Sequence, residues 1–497
     1  MGKSMNDYKP IVIGITGHRE LREQDIPRLR QTVKEQLQAV VLKCPNSPVK
    51  LLTSLAEGAD QLCAEIALEL NIGLIVALPM EIAEYKLDFH SGALLNFEKL
   101  IAQAESVYVA PKTEKEGQAT TRDYYYRQAD IYIATHSHCL IALWDGLEAK
   151  SGGCGTAETV DIALNYSFES ERCVRHQDSF VIHIMTPRTS EANNAGEVIY
   201  LGNEETFIEN ITKLDELNKD GGNPDELSVK YGKKYHKALM RLAVLGTVLA
   251  MAFLLYDEAM MKWMMIVVGV VLIFMSFAFK LAKKSKSHEK YIEYRALAEC
   301  IRVQNHLNHC GIDLEVSEYL DWTRRFDSSW IHKAIQALNI TRTIDYSEDI
   351  KRDWIADQEK YHEKAAAKTE KQLKRNNKIV KIALVASIAI YIFALLFEYV
   401  ISNQISTNVE FIRMILKIAV GTASAASLFA ANYYGKLSLK RVYEDHIRMA
   451  QYFKSAAEYL DKNEISKKFI VELVNEELSE NSNWGSYEKD NEINLDI

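Results

Sequence analysis

A chain of 497 residues is long enough for two or three domains, and its net charge of −9 gives no global positive field for nucleic acid. Its seven cysteines show no CxxC or zinc-type spacing, which points to reduced thiols in a cytoplasmic setting. Residues 1–10 are polar and the first apolar run, 11–15, is short, so a signal peptide is not expected.

Residues 9–15 (KPIVIGI) read as a buried strand ending in Thr16-Gly17-His18-Arg19. A helical pattern covers 27–43. A second strand is expected over 50–54, then Leu55-Ala56-Glu57-Gly58-Ala59-Asp60 and a helix to about Leu70. Residues 74–78 give a third strand and 139–144 (CLIALW) a fourth, ending in Asp145-Gly146. Ser151-Gly152-Gly153-Cys154-Gly155-Thr156-Ala157-Glu158 leads into a helix, and 180–185 supplies a fifth strand. Strands alternating with helices predict an α/β, doubly wound, Rossmann-like parallel sheet. Ligands of such sheets bind at the carboxyl ends of the strands, where these Gly-rich turns fall.

The chemistry of those turns is anion binding. Glycines let backbone approach a phosphate, and amides at a helix start point their positive ends toward it. Gly152, Gly153, Gly155 and Thr156 suit this role, and Gly17 with His18 and Arg19 could add cationic contacts. Asp60, at a helix start beyond Gly58, could bond exposed amides or a sugar hydroxyl. Each glycine could equally serve only the geometry of a tight turn. Tyr124-Tyr125-Tyr126-Arg127 reads either as a base-stacking aromatic with a phosphate-binding Arg or as an aromatic face packed on the sheet. His136 and His138 have no third ligand at matching spacing, so no metal is expected.

Gly152-Gly153-Cys154-Gly155-Thr156 resembles the GGxGT signature of the SLOG superfamily, the Rossmann-like group that contains the cytokinin-activating phosphoribohydrolases and DprA. Residues 54–60, from Ser54 to Asp60, resemble the DprA turn SGLARGID, and Ile15-Thr16-Gly17-His18-Arg19 resembles the strand end VGSR. The resemblance spans roughly residues 9–200 and implies a nucleotide or ribose-phosphate ligand held by Gly17, His18, Arg19, Ser54, Gly58, Asp60, Gly152, Gly153, Gly155, Thr156 and Glu158. The hydrolases carry two acidic residues after GGxGT. Glu158 fills the first position but Thr159 replaces the second, which favours a sensor without cofactor. An enzyme would have Glu158 and Asp60 as its acid and base.

Residues 201–225 are polar, with Gly221-Gly222-Asn223-Pro224 as a break. Beyond it, 239–256 and 263–281 are apolar runs separated by a short turn around Asp257, Glu258 and Lys262. As helices each run approaches the length that crosses a ~30 Å hydrocarbon core. A second pair follows at 379–401 and 411–434. Lys and Arg collect before and after each pair, predicting hairpins whose ends are cytoplasmic and whose tips, near Asp257 and Asn403, face out. The basic stretch 231–239 should run into the first span as one helix, and 351–378 into the third.

The hairpins form a repeat, since Tyr291, Ala298 and Leu307 after the first match Tyr443, Ala450 and Tyr459 after the second. The small-residue run 421–427 could pack closely or line a polar path, and Lys417 is a candidate for a pore mouth, with snorkelling the alternative. Residues 465–478 read as an amphipathic helix before a frayed end.

The two-span units, with Tyr294-Arg295-Ala296-Leu297-Ala298-Glu299 and residues 354–362, resemble the SLATT family of bacterial conflict effectors. The expected organisation is a sensing domain over 1–215, hairpins with exit helices over 230–310 and 379–461, a helical connector over 311–378 and a tail over 462–497. The resemblances imply an inner-membrane antiphage effector, a homo-oligomer with a nucleotide ligand and the lipid bilayer as partners and no nucleic acid, in which the signal triggers a pore or membrane disruption. The competing readings are a membrane-tethered nucleotide hydrolase and a transporter.

Overall fold

The computed structural model describes residues 8–112, 121–148, 155–165, 179–188, 193–312, 314–320, 329–340, 351–404 and 408–490. They divide into two compact units, residues 1–223 with 314–343, and residues 224–313 with 344–497. The chain therefore crosses between units three times, and the stretch expected as one connector contributes to both.

The first unit is built on a 7-stranded sheet. In chain order its elements are β1 (Ile11–Gly17), α1 (Ile26–Lys43), β2 (Val49–Thr53), α2 (Ala59–Glu69), β3 (Gly73–Leu78), α3 (Ile82–Tyr85), α4 (Ser91–Ile101), β4 (Ser106–Val109), α5 (Arg122–Thr135), β5 (Cys139–Trp144), α6 (Thr156–Asn165), β6 (Phe180–Met185), β7 (Val198–Gly202) and α7 (Glu204–Lys219). The strand order is β4-β3-β2-β1-β5-β6-β7. All pairs are parallel except β6 with β7. The doubly wound expectation holds, and two strands join it that the apolar pattern does not show. β4 is a half-buried edge of four residues, and β7 is a largely exposed antiparallel edge. Neither has the continuous aliphatic run that marks a strand covered on both faces.

Helix starts follow local chemistry. Thr121 caps α5 by accepting from the Tyr124 amide at 3.2 Å, and Asn203 caps α7 by accepting from Thr206 at 3.0 Å. After the first membrane hairpin the chain returns to this unit with α11 (Ser329–Asn339), in which Trp330 to Ala337 are all buried. Lys333 Nζ donates to the Ser137 carbonyl at 3.1 Å, and His136 Nε2 lies 2.9 Å from Glu315. His138 Nδ1 accepts from the Val12 amide at 3.1 Å, and burial pushes this ring down to about 3. The two histidines of the THSHC stretch therefore bind this unit together.

The second unit is helical: α8 (Pro224–Asp257), α9 (Met264–Lys284), α10 (Ser287–His309), α12 (Ala356–Leu396), α13 (Val409–Gly435), α14 (Leu439–Leu460) and α15 (Lys467–Asp490). Four of its helical segments are long and apolar enough to cross a membrane. The basic segment 231–239 does continue into the first span, because α8 runs unbroken from Pro224. A π turn, Lys351–Ile355, leads into α12, which extends through the third span. The repeat is visible in the backbone. Lys286 and Ser438, at the same spacing as Tyr291 and Tyr443, both have left-handed φ and both precede an exit helix. The exit helix α10 packs on α8, as α14 packs on α12. The expected amphipathic helix is α15, which runs on to Asp490 instead of fraying after 478 and packs on α10, with Trp484 edge-on to Tyr291 at 5.3 Å.

Candidate functional site at the carboxyl edge of the sheet

The strand order reverses direction between β1 and β5, the place where doubly wound sheets open a crevice beyond their carboxyl ends. β1 ends at Gly17, where a Cβ would stand 2.4 Å from the Ala59 Cβ. Gly58, with φ of +88°, would carry a Cβ 2.1 Å from the Arg19 carbonyl oxygen. The Ala59 amide donates to the His18 carbonyl at 3.0 Å. Both glycines are thus accounted for by the close approach of α2 to the end of β1.

His18 is buried at this edge and faces residues from two other strand ends. Its Nε2 lies 3.1 Å from the Asp145 amide and 3.5 Å from the Asp145 carboxylate. Its Nδ1 is 2.7 Å from the Arg188 guanidinium, which also stands 3.7 Å from Asp145. Burial first, and then the Arg188 charge, hold His18 below its ordinary value against the opposing pull of Asp145. A neutral imidazole has a single acceptor nitrogen, yet two N–H donors face this one. Only one of them can be satisfied by the ring. Arg188, with 62% of its side chain exposed, is the donor free to turn toward another acceptor.

The β2 end is held by Asp60. One of its carboxylate oxygens accepts from Thr53 Oγ1 at 2.8 Å, Ser54 Oγ at 3.0 Å and the Ala56 amide at 3.3 Å. Burial pushes this carboxyl up to about 6 despite those bonds and the nearby Arg19. Leu55 between them is fully buried with φ of 56°, a left-handed conformation that a branched aliphatic residue adopts only under constraint. Its amide donates to Thr53 Oγ1 at 3.0 Å. Ser54 and Asp60 are therefore engaged in shaping the turn.

Arg19 projects beyond this turn and lies over the Tyr126 ring at 5.2 Å. Tyr126 donates its hydroxyl to Asp88, which also receives Arg122 at 2.7 Å. The ring of Tyr126 packs near the buried Tyr85, 6.2 Å between centroids. Of the two readings of the YYYR stretch, the packed one describes Tyr126. Arg127 pairs with Glu158 at 3.1 Å, joining α5 to α6. Gly152 and Gly153 lie outside the described residues. Gly155 begins the described part of that turn, and a Cβ there would meet nothing within 4 Å. Its carbonyl accepts from the Thr159 amide at 3.0 Å, so the first turn of α6 is formed, with Thr156 buried beside it.

The structure gathers His18, Arg19, Ser54, Gly58 and Asp60 at one strand-end cluster, and ties Glu158 to a different helix. Sequence reasoning missed Arg188 and the role of Asp145. Both follow strand ends, Asp145 directly after β5 and Arg188 three residues after β6, so the rule that ligands sit at carboxyl ends could have found them. Among the described residues no group of three or more His, Cys, Asp or Glu side chains is arranged to hold a metal. No protein-family model and no curated protein matches this chain.

Proposed function

We propose that the chain is a membrane effector whose sheet domain binds a nucleotide-derived anion and thereby changes the state of its membrane helices. The observation that carries this is the His18–Asp145–Arg188 cluster at the reversal of strand order, in which an exposed guanidinium competes for a ring nitrogen and is available to an anion. The open space at Gly155, at the start of a helix whose first amides lack intrahelical partners, supports a phosphate there. The resemblance to SLOG and SLATT proteins extends this to an antiphage effector of the bacterial inner membrane, working as a homo-oligomer, because four spans scarcely enclose a pore alone. Both termini and the 311–378 stretch are cytoplasmic in this reading. Asp60 holds three donors on one oxygen and Glu158 is held by Arg127, which favours binding over hydrolysis.

The test is a melting-temperature shift across a nucleotide panel. A binding nucleotide raises the Tm of wild type, and Gly155→Leu and Arg188→Gln remove that rise while leaving the unliganded Tm within a few degrees. Equal shifts in both variants would place the pocket elsewhere. Turnover of the ligand, lost in Glu158→Gln, would make the protein a hydrolase. Because α8 is one helix from Pro224 through the first span, a Gly/Ser insertion near Lys234 is expected to leave binding intact and abolish ligand-dependent permeability.

A further inference from the structure

The second unit contains a large apolar groove between α8 and α9, about 1010 Å³ in volume. Its walls are Val244 and Leu245 from α8 and Phe274, Phe277 and Leu281 from α9. Phe274 and Phe277 are each more than half exposed. At one end the lining changes from hydrocarbon to cation. Lys234, Lys237 and Arg241 recur at helical spacing on one face of α8, and Lys284 closes the groove from the last turn of α9. Ser285 and Ser287 complete this end, and no acidic residue lines the groove anywhere. None of the four cations forms an ion pair among the described residues, and Lys234 lies 5.9 Å from the centre of the Tyr231 ring.

We propose that this groove is a binding site for one anionic phospholipid, with an acyl chain between α8 and α9 and the headgroup phosphate among Lys234, Lys237, Arg241 and Lys284. The apolar length and the uncompensated charge are what such a lipid presents in the same order, hydrocarbon below and phosphate at the interface. A generic basic flank attracts anionic lipid diffusely. Here two helices bring their cations to the mouth of one cavity. Arg241 lines the groove where apolar residues give way to cations, and a guanidinium there suits phosphate oxygens in bidentate fashion. A lipid seated there would contact both helices of the hairpin through one molecule. The proposal rests on the membrane placement above and not on the ligand of the sheet domain.

Native mass spectrometry of the full chain, released from bilayer discs holding equal phosphatidylglycerol and phosphatidylcholine of the same acyl chains, tests it. Phosphatidylglycerol should be retained preferentially. Lys237→Gln and Arg241→Gln should each lower the retention ratio about fivefold. Lys280→Gln, on the same flank but outside the groove, should leave it unchanged. Ala278→Trp, which fills the groove, should remove the retained lipid whatever its headgroup. Equal retention of the two lipids would overturn the site, and a loss in Lys280→Gln matching that in Arg241→Gln would replace it with diffuse surface charge. A failure of the membrane placement itself would show separately, as release of the chain from membranes by alkaline carbonate, and would also remove the site.

Discussion

The two hairpins share one plan but treat their returning spans differently. α13 is drawn between two helices. A Cβ at Gly421 would stand 2.5 Å from Leu254 of α8, and Gly246 of α8 offers the same closeness to Phe429 at 2.6 Å. Toward α12, Ser424 shares a hydrogen bond with Ser387 at 3.0 Å. The small residues of 421–427 thus serve close packing. α9 has only one helix as its main neighbour, α8, and only Val271 of the whole helix is buried. Its bulky Phe274 and Phe277 stand away from protein. Small side chains bring spans together, whereas bulky ones leave an open wall for lipid or a second copy to cover.

The sharpest way to break this comparison is to make the same substitution in both places. Gly246→Leu or Gly421→Leu inserts atoms where a Cβ already collides, and overpacking of this kind destabilises by about 1–3 kcal/mol. Gly269→Leu in α9, where a Cβ meets nothing within 4 Å, should leave the Tm in detergent unchanged or slightly higher. Equal losses at all three positions would mean that α9 has a partner span that the monomer does not supply.

A second, smaller effect separates the ends of the hairpins where the exit helices pack. In the first hairpin the seam between α8 and α10 is aromatic, with Tyr235 stacked on His288 at 4.2 Å and Tyr231 edge-on to Tyr294 at 5.7 Å. In the second, His362 of α12 meets His446 of α14 at 3.0 Å, beside a cluster of charge. Glu477 of α15 faces Glu299, Arg295 and Arg302 of α10, Tyr361 of α12 and its own neighbour Glu480. Trp354 donates to one Glu477 oxygen at 3.3 Å, and the other is buried without a hydrogen bond among the described residues. Burial pushes Glu477 up to about 8 and Glu480 up to about 7. A carboxyl raised on folding adds stability that is full below its unfolded value, near 4.5, and is lost as pH rises through the folded value. Raising pH from about 6 to about 8.5 should therefore lower the protection of α15 amides, taken against their intrinsic exchange rate at each pH, by about a hundredfold, two units of linked pKa shift at Glu477. Glu477→Gln should flatten that dependence. If α10 and α15 exchanged equally at both pH values in wild type, the carboxyls would be ionised and paired throughout.

The parts legible from sequence were those written in a repeating pattern. The long aliphatic runs of β1, β2, β3, β5 and β6 and the four apolar spans identify themselves, because burial on all sides leaves no room for polar residues. β4 and β7 escaped because edge strands are only half covered, and the part of α15 beyond 478 read as frayed because its polar residues Glu480, Asn481 and Glu488 are buried. At the sheet edge, Gly17, Gly58 and Asp60 were visible as turn motifs, but not the close approach of α2 to β1 or the three donors on Asp60. Which residues meet across strand ends, such as His18 with Arg188, depends on register and loop path and has no local signature.

The smallest expected effect lies at the tips of the hairpins, where sequence singled out Lys417 as a pore mouth or a snorkelling cation. Its Nζ is 3.0 Å from Glu258, so a residue of the second hairpin pairs with the tip of the first. Arg413 nearby is held by both oxygens of Glu398, at 2.7 and 2.9 Å. The Lys417 side chain is 62% exposed, and an ion pair so open to water is screened and adds little to stability. Lys417→Gln should accordingly leave the Tm unchanged at any ionic strength. Conductance distinguishes the two roles that stability cannot. A cation at a pore mouth raises or lowers ion flux through its field, most strongly at low salt, whereas a tip-to-tip tie does not. Flux with unchanged salt dependence and selectivity in Lys417→Gln is the expected result. A shift in cation-to-anion selectivity confined to low salt would put Lys417 at an aqueous path and make the tip of α13, rather than its small-residue stripe, the pore-facing part of the second hairpin.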